Sequence, residues 1–233
     1  MSGMVGVIAN DTGRYSMFTF MLNMLRTPVN TTLQPALTSD RILGRNKLAK
    51  LALEQGAEWL MFLDDDHAFH PDLLTRLLAH DEMIVGSLYL QRMMPFAPVA
   101  YSHKTEDEVY MPIDLTSLPS DGLVEVAAVG TGGMLIRSEV FRALEYPWFE
   151  HGRASEDLIF CDRARDAGFQ IYCDLGSRLG HFTVSAIWPS WADEEWVVGF
   201  SVADNFSLYV PIENPAGNPA DPEREEVAVS HGG

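Results

Sequence analysis

Three adjacent aspartates and a histidine, Asp64-Asp65-Asp66-His67, follow without a break on the apolar run Trp59-Leu60-Met61-Phe62-Leu63. Three carboxylates in a row repel one another, and the repulsion grows as water is excluded. A compact site therefore needs a cation or protons to hold them together. A divalent metal meets that need most economically. Oxygen ligands favour hard ions such as Mg²⁺ or Mn²⁺, which commonly bring a substrate's phosphates with them. The competing reading is a cap for the helix that Pro71-Asp72-Leu73-Leu74 opens. Elsewhere, Arg45, Asn46 and Lys47 form a small basic and amide cluster suited to a phosphate or a base edge, or else a solvated helix face. Glu156 and Asp157 stand at a helix start, where acids complement the helix dipole. His181 is a lone imidazole, either a ligand or a hydrogen-bonded structural residue.

The elements that must position these groups follow from periodicity. Trp59–Leu63 reads as a buried parallel strand, reached from a helix through Arg45–Gln55 that Gly56 ends, so the acids sit at a strand's C-terminal end. In open α/β sheets that edge is where ligands bind. Met4–Ala9 reads as the first strand. The turn Asn10-Asp11-Thr12-Gly13 and an amphipathic helix through Met17, Phe20, Met21 and Met24 follow, with no dinucleotide fingerprint in the turn. A segment near Thr31–Leu37 is the next strand and leads to Thr38-Ser39-Asp40. A helix over Pro71–His80 with Leu73, Leu74, Leu77 and Leu78 at helical spacing precedes a strand at Met83–Tyr89. Gln91–Asp121 is Pro-rich and reads as a functional loop or small hairpin. Val124–Val129 is a strand ending in Gly130-Thr131-Gly132-Gly133, and Met134-Leu135-Ile136 follow before a helix from Ser138. The glycines would let backbone approach a ligand closely, or form a bulge. Ser155 caps a helix over Leu158–Ala167 that Gly168 closes, and Phe169–Tyr172 is a further strand. From Trp188 onward periodicity fades, and Trp188, Trp191 and Trp196 would pack back on the domain or cover a pocket.

Composition narrows the classes. With 233 residues, 47% of them hydrophobic, the chain can bury a real core. A formal charge of -17 argues against an extended nucleic-acid surface or an anionic membrane surface. The start lacks a signal-peptide pattern and no run is long enough to span a bilayer, so the expected setting is soluble and cytoplasmic. Cys161 and Cys173 are expected as two buried thiols. Residues from 213 onward, rich in Pro, Gly and acids, have the composition of a disordered tail.

The order of these signals is more specific than any one of them. A helix with Arg45-Asn46, a strand ending Leu63-Asp64-Asp65-Asp66-His67, the run Gly130–Ile136, the helix start Ser155-Glu156-Asp157-Leu158 and then Leu179-Gly180-His181-Phe182 resembles the nucleotide-sugar glycosyltransferases of the GT-A fold, over about residues 4–182. Within them the pattern is similar to polypeptide N-acetylgalactosaminyltransferases, and the small size looks most like phage or bacterial members. The resemblance implies an α/β chain with a single Rossmann-like GT-A catalytic domain over 1–185, its mixed, mostly parallel sheet flanked by helices. An extension over 186–212 would pack on or cover the site, and the acidic tail would span 213–233. It implies an Asp-x-Asp motif in which Asp64 and Asp66 bind Mn²⁺ or Mg²⁺ and the donor's diphosphate, with His181 completing the metal site. Asp65 would lie near the donor ribose. Asn10, Asp40, Arg45, Asn46, Thr131, Gly132 and Gly133 would line the donor, a nucleoside diphosphate sugar and in the first instance a UDP-sugar. Glu156 and Asp157 would face the acceptor, a hydroxyl on a protein, a glycan or a modified DNA base, with Asp157 as general base if configuration inverts. If the protein is phage-encoded, the setting is the host cytoplasm. Two other readings use the same acids: a metal-dependent nucleotidyl or phosphoryl transferase, and a silent nucleotide-sugar binding module.

Overall fold

The computed structural model describes residues 2–9, 15–38, 40–92, 95–183, 185–192, 195–202 and 206–211. Asn10 and the segment from 213 onward lie outside them. The chain begins with β1 (Gly3–Ala9), α1 (Tyr15–Met24), β2 (Thr31–Leu37), α2 (Arg41–Glu54) and β3 (Trp59–Asp64). Next come β4 (His67–Ala68), α3 (Leu73–Ala79), β5 (Ile84–Leu88), β6 (Ala100–Lys104), β7 (Tyr110–Pro112), β8 (Leu123–Val126) and β9 (Ala128–Val129). They are followed by β10 (Gly133–Arg137), α4 (Ser138–Ala143), α5 (Glu156–Asp166), β11 (Ile171–Arg178) and β12 (Gly180–His181). Last are β13 (Ser185–Ala192), β14 (Glu195–Val202) and β15 (Phe206–Pro211).

Seven strands form the main sheet in the order β2-β1-β3-β10-β5-β11-β8. β2, β1, β3, β5 and β11 run in one direction, while β10 and β8 run against them. This is the mixed, mostly parallel α/β sheet expected. Alternation along each strand sends Leu60, Phe62, Ile84, Met134 and Ile136 to one face, against residues of α2, α4 and α5 such as Leu48, Phe141 and Phe160. Trp59, Met61, Leu63, Val85 and Leu135 go to the other, against Phe18 of α1 and Leu73, Leu74 and Leu77 of α3. A central strand covered on both sides must be apolar throughout, which is why Trp59–Leu63 shows no polar alternation. The first polar residue of β3 is Asp64, so its carboxylate emerges where the helices stop covering the sheet. Gly56, at φ 68°, closes α2 in the left-handed conformation expected of a C-terminal glycine.

Four local expectations change. In α1 the buried stripe is Phe18, Met21, Leu22 and Leu25, whereas Phe20 and Met24 are exposed at 68% and 54%. Two apolar stripes overlap in that sequence, and the one carrying Phe18 wins because it meets Phe69 edge-on at 5.9 Å. The acids do not cap α3: β4 intervenes, and Asp72 stands at that helix start. The Pro-rich stretch holds the small hairpin expected, β6 with β7, but β9 joins it in a three-stranded sheet, so Val124–Val129 is divided between two sheets. From Ser185 onward, where no element was expected, β13, β14 and β15 form their own antiparallel sheet. That sheet belongs to a second compact unit, Arg92–Phe96 with the segment from Thr183, separate from the unit built by residues up to Gln91 and Ala97–Phe182. Cys161 and Cys173 are buried free thiols. Among the described residues no helix is long and apolar enough to cross a membrane.

Candidate functional site

Each of the three acids is tied by its backbone to a different neighbouring segment. The Asp64 N–H donates to the Gly132 carbonyl at 3.3 Å and the Asp65 N–H to the Ile8 carbonyl at 3.3 Å, while the Asp66 carbonyl accepts from the Phe182 N–H at 2.8 Å. The run is thereby fixed between the end of β1, the start of β10 and the segment leaving β12. β4 and β12 pair antiparallel with His67 opposite His181. Their rings stack at 4.4 Å and 19°. Asp66 reaches both: its Oδ1 is 3.1 Å from His67 Nδ1 and its Oδ2 3.5 Å from His181 Nε2. One ligand atom from each of Asp66, His67 and His181 lies within 4.8 Å of the others.

The imidazoles are prepared for a cation. His181 Nδ1 is 2.9 Å from the Leu90 carbonyl, which can only accept, so that nitrogen carries a proton and Nε2, on the Asp66 side, is the one placed to coordinate. Metal-binding histidines are commonly oriented in this way. His67 is 1% exposed, and neither of its ring nitrogens has a hydrogen-bond partner. The Asp66 oxygen is within ion-pair reach of Nδ1 but off the hydrogen-bonding direction. A buried imidazole left so is costly, and a cation beside it removes the cost. The residues thus fit a divalent metal, with a modified ligand set. Asp66 and His181 are joined by His67, and Asp64 is drawn instead to Arg45. Two imidazoles and one carboxylate suit Mn²⁺ and other first-row transition ions better than Mg²⁺.

Arg45 projects from α2 into this edge of the sheet and is 2% exposed. Its Nη2 lies 3.3 Å from Asp64 Oδ1, and its Nη1 donates to Glu156, which Arg41 also approaches at 3.5 Å. Burial opposes the guanidinium charge, but Asp64, Glu156 and Asp157 together hold it above its ordinary value. Arg45 therefore links the acid run of β3 to the acid pair of α5. Ser155 stands at the N-cap of α5 but does not cap it; its hydroxyl donates to Asp157 Oδ1, which also accepts from the Leu158 N–H at 2.9 Å. A helix N-terminus was grounds to expect a low Asp157 pKa. Burial pushes its carboxyl up instead, outweighing the opposing pull of Arg45 and Ser155.

Tyr89, just past β5, occupies the centre of this arrangement and sequence reasoning passed over it. Its ring meets His67 edge-on at 4.6 Å and His181 at 5.8 Å. Its phenol accepts from the Gly132 N–H at 3.4 Å. Burial, then Asp157 and Asp64, push that phenol well above its usual range, so it stays protonated. The glycines expected to admit a ligand are needed first by these side chains. A Cβ on Gly132 would stand 2.7 Å from His67 Cε1 and 3.1 Å from Tyr89 Cζ, and one on Gly133 would stand 2.7 Å from Leu179. Thr131 is buried, with its hydroxyl lacking a hydrogen-bond partner.

Two expected donor residues have other work. Asp40 caps α2, accepting from the Leu43 N–H at 3.0 Å. Asn46 is buried, donates to the Ile42 and Phe149 carbonyls at 3.0 and 2.7 Å, and accepts from the Trp148 and Phe149 N–H groups at 3.0 and 3.1 Å. Its carboxamide fastens the loop before α5 to α2 and has no capacity left for a ligand. Asn46→Ala is expected to cost about 2–4 kcal/mol of stability in urea unfolding, because several buried backbone groups lose their partners together. Donor affinity should change little in the fraction that stays folded.

No protein-family model matches the sequence, and no curated protein matches it. Solved structures do. The crystal structure of A197 from STIV superposes with a TM-score of 0.55 at 16% identity, covering 85% of this chain and 94% of that one. The crystal structure of GalNAc-T7 with UDP, GalNAc and Mn²⁺ superposes with a TM-score of 0.57 at 14% identity, covering 78% of this chain and 44% of that one. The fold is GT-A-like. At these identities the likeness concerns the fold, and the chemistry must be argued from the residues.

Proposed function

We propose that this chain is a metal-dependent glycosyltransferase moving a sugar from a nucleoside diphosphate sugar, a UDP-sugar in the first instance, to an acceptor hydroxyl on a protein, a glycan or a modified nucleobase. The observation that carries the reading is the Asp66, His67 and His181 cluster, with a buried imidazole that makes no hydrogen bond, at the C-terminal edge of a GT-A-like sheet. The similar GalNAc-T7 structure holds UDP, GalNAc and Mn²⁺, which supports both donor and metal. Asp66, His67 and His181 would hold Mn²⁺ more readily than Mg²⁺, with Asp65, Thr131 and the Gly132–Gly133 backbone on the donor side. When bound, the metal would neutralise charge on the departing diphosphate. Arg45 keeps Asp64 turned toward the acid pair, so the donor edge and the acceptor edge share one buried counter-ion. Asp157 takes the proton of the acceptor hydroxyl in an inverting transfer, and its raised pKa makes it a stronger base than an ordinary aspartate.

The test is calorimetry with uridine, guanosine and cytidine diphosphate sugars, with and without Mn²⁺. Binding of one nucleotide sugar that depends on Mn²⁺ and weakens on acidification is the expected result, because protons compete with the metal for the imidazoles. Preference for a nucleoside triphosphate, or no metal dependence, would overturn the reading.

A further inference from the structure

Beside the metal cluster, along the same sheet edge, lies a pocket of about 450 Å³. Its floor is the Tyr89 ring with Leu175 and Leu179, its wall is Leu118, and Leu90 and Leu115 stand at the rim, exposed at 41% and 38%. The lining is apolar except for Ser120 and one cation. Arg178, at the end of β11, donates from Nε to the Leu175 carbonyl at 3.1 Å and from Nη2 to the Ser120 carbonyl. Both acceptors are neutral. In a chain of net charge -17, Arg178 has no carboxylate within ion-pair distance among the described residues, whereas Arg45 and Arg76 each have two and Arg137 meets Asp81. Arg178 also lines a second cavity, shared with Asp72, Thr75, Arg76 and Ser177, so it stands between two recesses.

We infer that this pocket binds an amphipathic anion, a molecule with an apolar body and a phosphate or carboxylate end. The apolar body lies on Leu175, Leu179 and the Tyr89 ring, and the anionic end meets Arg178. The volume falls within the range of about 300–1,000 Å³ of small-molecule sites. An alkyl body gains from leaving water over aliphatic walls, and a guanidinium already oriented by two carbonyls presents its remaining N–H donors at little further entropic cost. The pocket adjoins the proposed transfer site at two points. Tyr89 backs on His67, and the Leu90 carbonyl orients His181. The inference rests on the glycosyltransferase reading only in assigning the bound molecule as part of the acceptor; the binding site itself stands apart from it.

Binding is measured by calorimetry on the full chain without metal, using octyl phosphate, the neutral octyl glucoside and inorganic phosphate as probes. Octyl phosphate should bind more tightly than either of the others. Arg178→Gln should weaken octyl phosphate about tenfold, the worth of roughly one charge-assisted hydrogen bond, and leave octyl glucoside unchanged. Leu115→Asp, at an exposed rim position, should weaken both alkyl probes. UDP with Mn²⁺ should bind alongside octyl phosphate without competition. Equal affinity for octyl phosphate in wild type and both variants, or binding of phosphate alone as strongly as octyl phosphate, overturns the site. Failure of UDP to bind while octyl phosphate does would leave the pocket standing and overturn the transferase reading.

Discussion

Asp66→Asn is expected to abolish Mn²⁺ binding while leaving the fold intact. Asp66 is the carboxylate that reaches both imidazoles, at 3.1 and 3.5 Å, and it does so from a position past the end of β3. Losing even an outer partner of a metal ligand costs about 10–100-fold in affinity, so loss of the one carboxylate in the cluster should cost at least about 100-fold. Stability gives a second readout. A metal that binds only the native state adds about 2.7 kcal/mol at 100 times its Kd, and the variant should show none of that gain. Without metal the variant should melt at or slightly above the wild-type temperature, because one of three adjacent negative charges is gone. Asp64→Asn should behave differently. Asp64 pairs with buried Arg45, so this variant should lose about 1.5–3 kcal/mol of stability yet keep most of its Mn²⁺ affinity. His67→Ala should side with Asp66→Asn. The same Mn²⁺ affinity in Asp66→Asn and wild type would sink the cluster as a metal site.

The contrast between Asp64 and Asp66 marks the limit of what the sequence could tell. An apolar run stopping on acids places their backbone at a strand end, because burial on both faces admits no polar residue before the helices stop. The mostly parallel sheet, the helix ended by Gly56 and the edge carrying Asp64 were legible from such patterns. Which carboxylate faces the His67 and His181 imidazoles was not, because consecutive residues leaving a strand diverge and their partners come from far along the chain. Arg45 is 19 residues from Asp64 and 111 from Glu156, so no local pattern announces that bridge. Asn46 illustrates the opposite error. A carboxamide at a helix start beside a basic residue suits a nucleotide as well as it suits a loop, and only the Trp148 and Phe149 backbone decides the matter. Tyr89 carried no signal, since an aromatic residue after a strand is ordinary core. His67 did carry one: it directly follows the acid run, but β4, two residues long, is too short to be read from periodicity.

The acid pair of α5 is expected to divide cleanly on mutation. Glu156 is buried and is the carboxylate that Arg45 Nη1 grips. Glu156→Gln leaves a buried guanidinium with part of its counter-charge removed and should cost about 3 kcal/mol, since breaking a buried pair exposes an uncompensated charge. Asp157 has the reverse relation to stability. Its native carboxyl titrates above the ordinary aspartate value because burial disfavours the charged form. Between the ordinary value, about 3.9, and that raised one, the native state holds a proton that the unfolded chain has lost, so stability falls as pH rises through this window and stays lower above it. Asp157→Asn removes that penalty. The variant should melt higher than wild type at neutral pH, with the difference vanishing below the ordinary aspartate range. If Asp157 is the base, the same substitution should slow transfer by about 10²–10⁴-fold while donor affinity stays near normal. Wild-type transfer should then decline on acidification at a higher pH than an ordinary aspartate would dictate, and the Asn variant should lack that limb. Donor titration beside single-turnover transfer, together with melting at neutral and acid pH, separates the two roles. A stabilised Asp157→Asn that transfers sugar at the wild-type rate would leave Asp157 as a half-buried acid hydrogen-bonded to Ser155, and the base would have to be sought elsewhere along the edge that carries Tyr89.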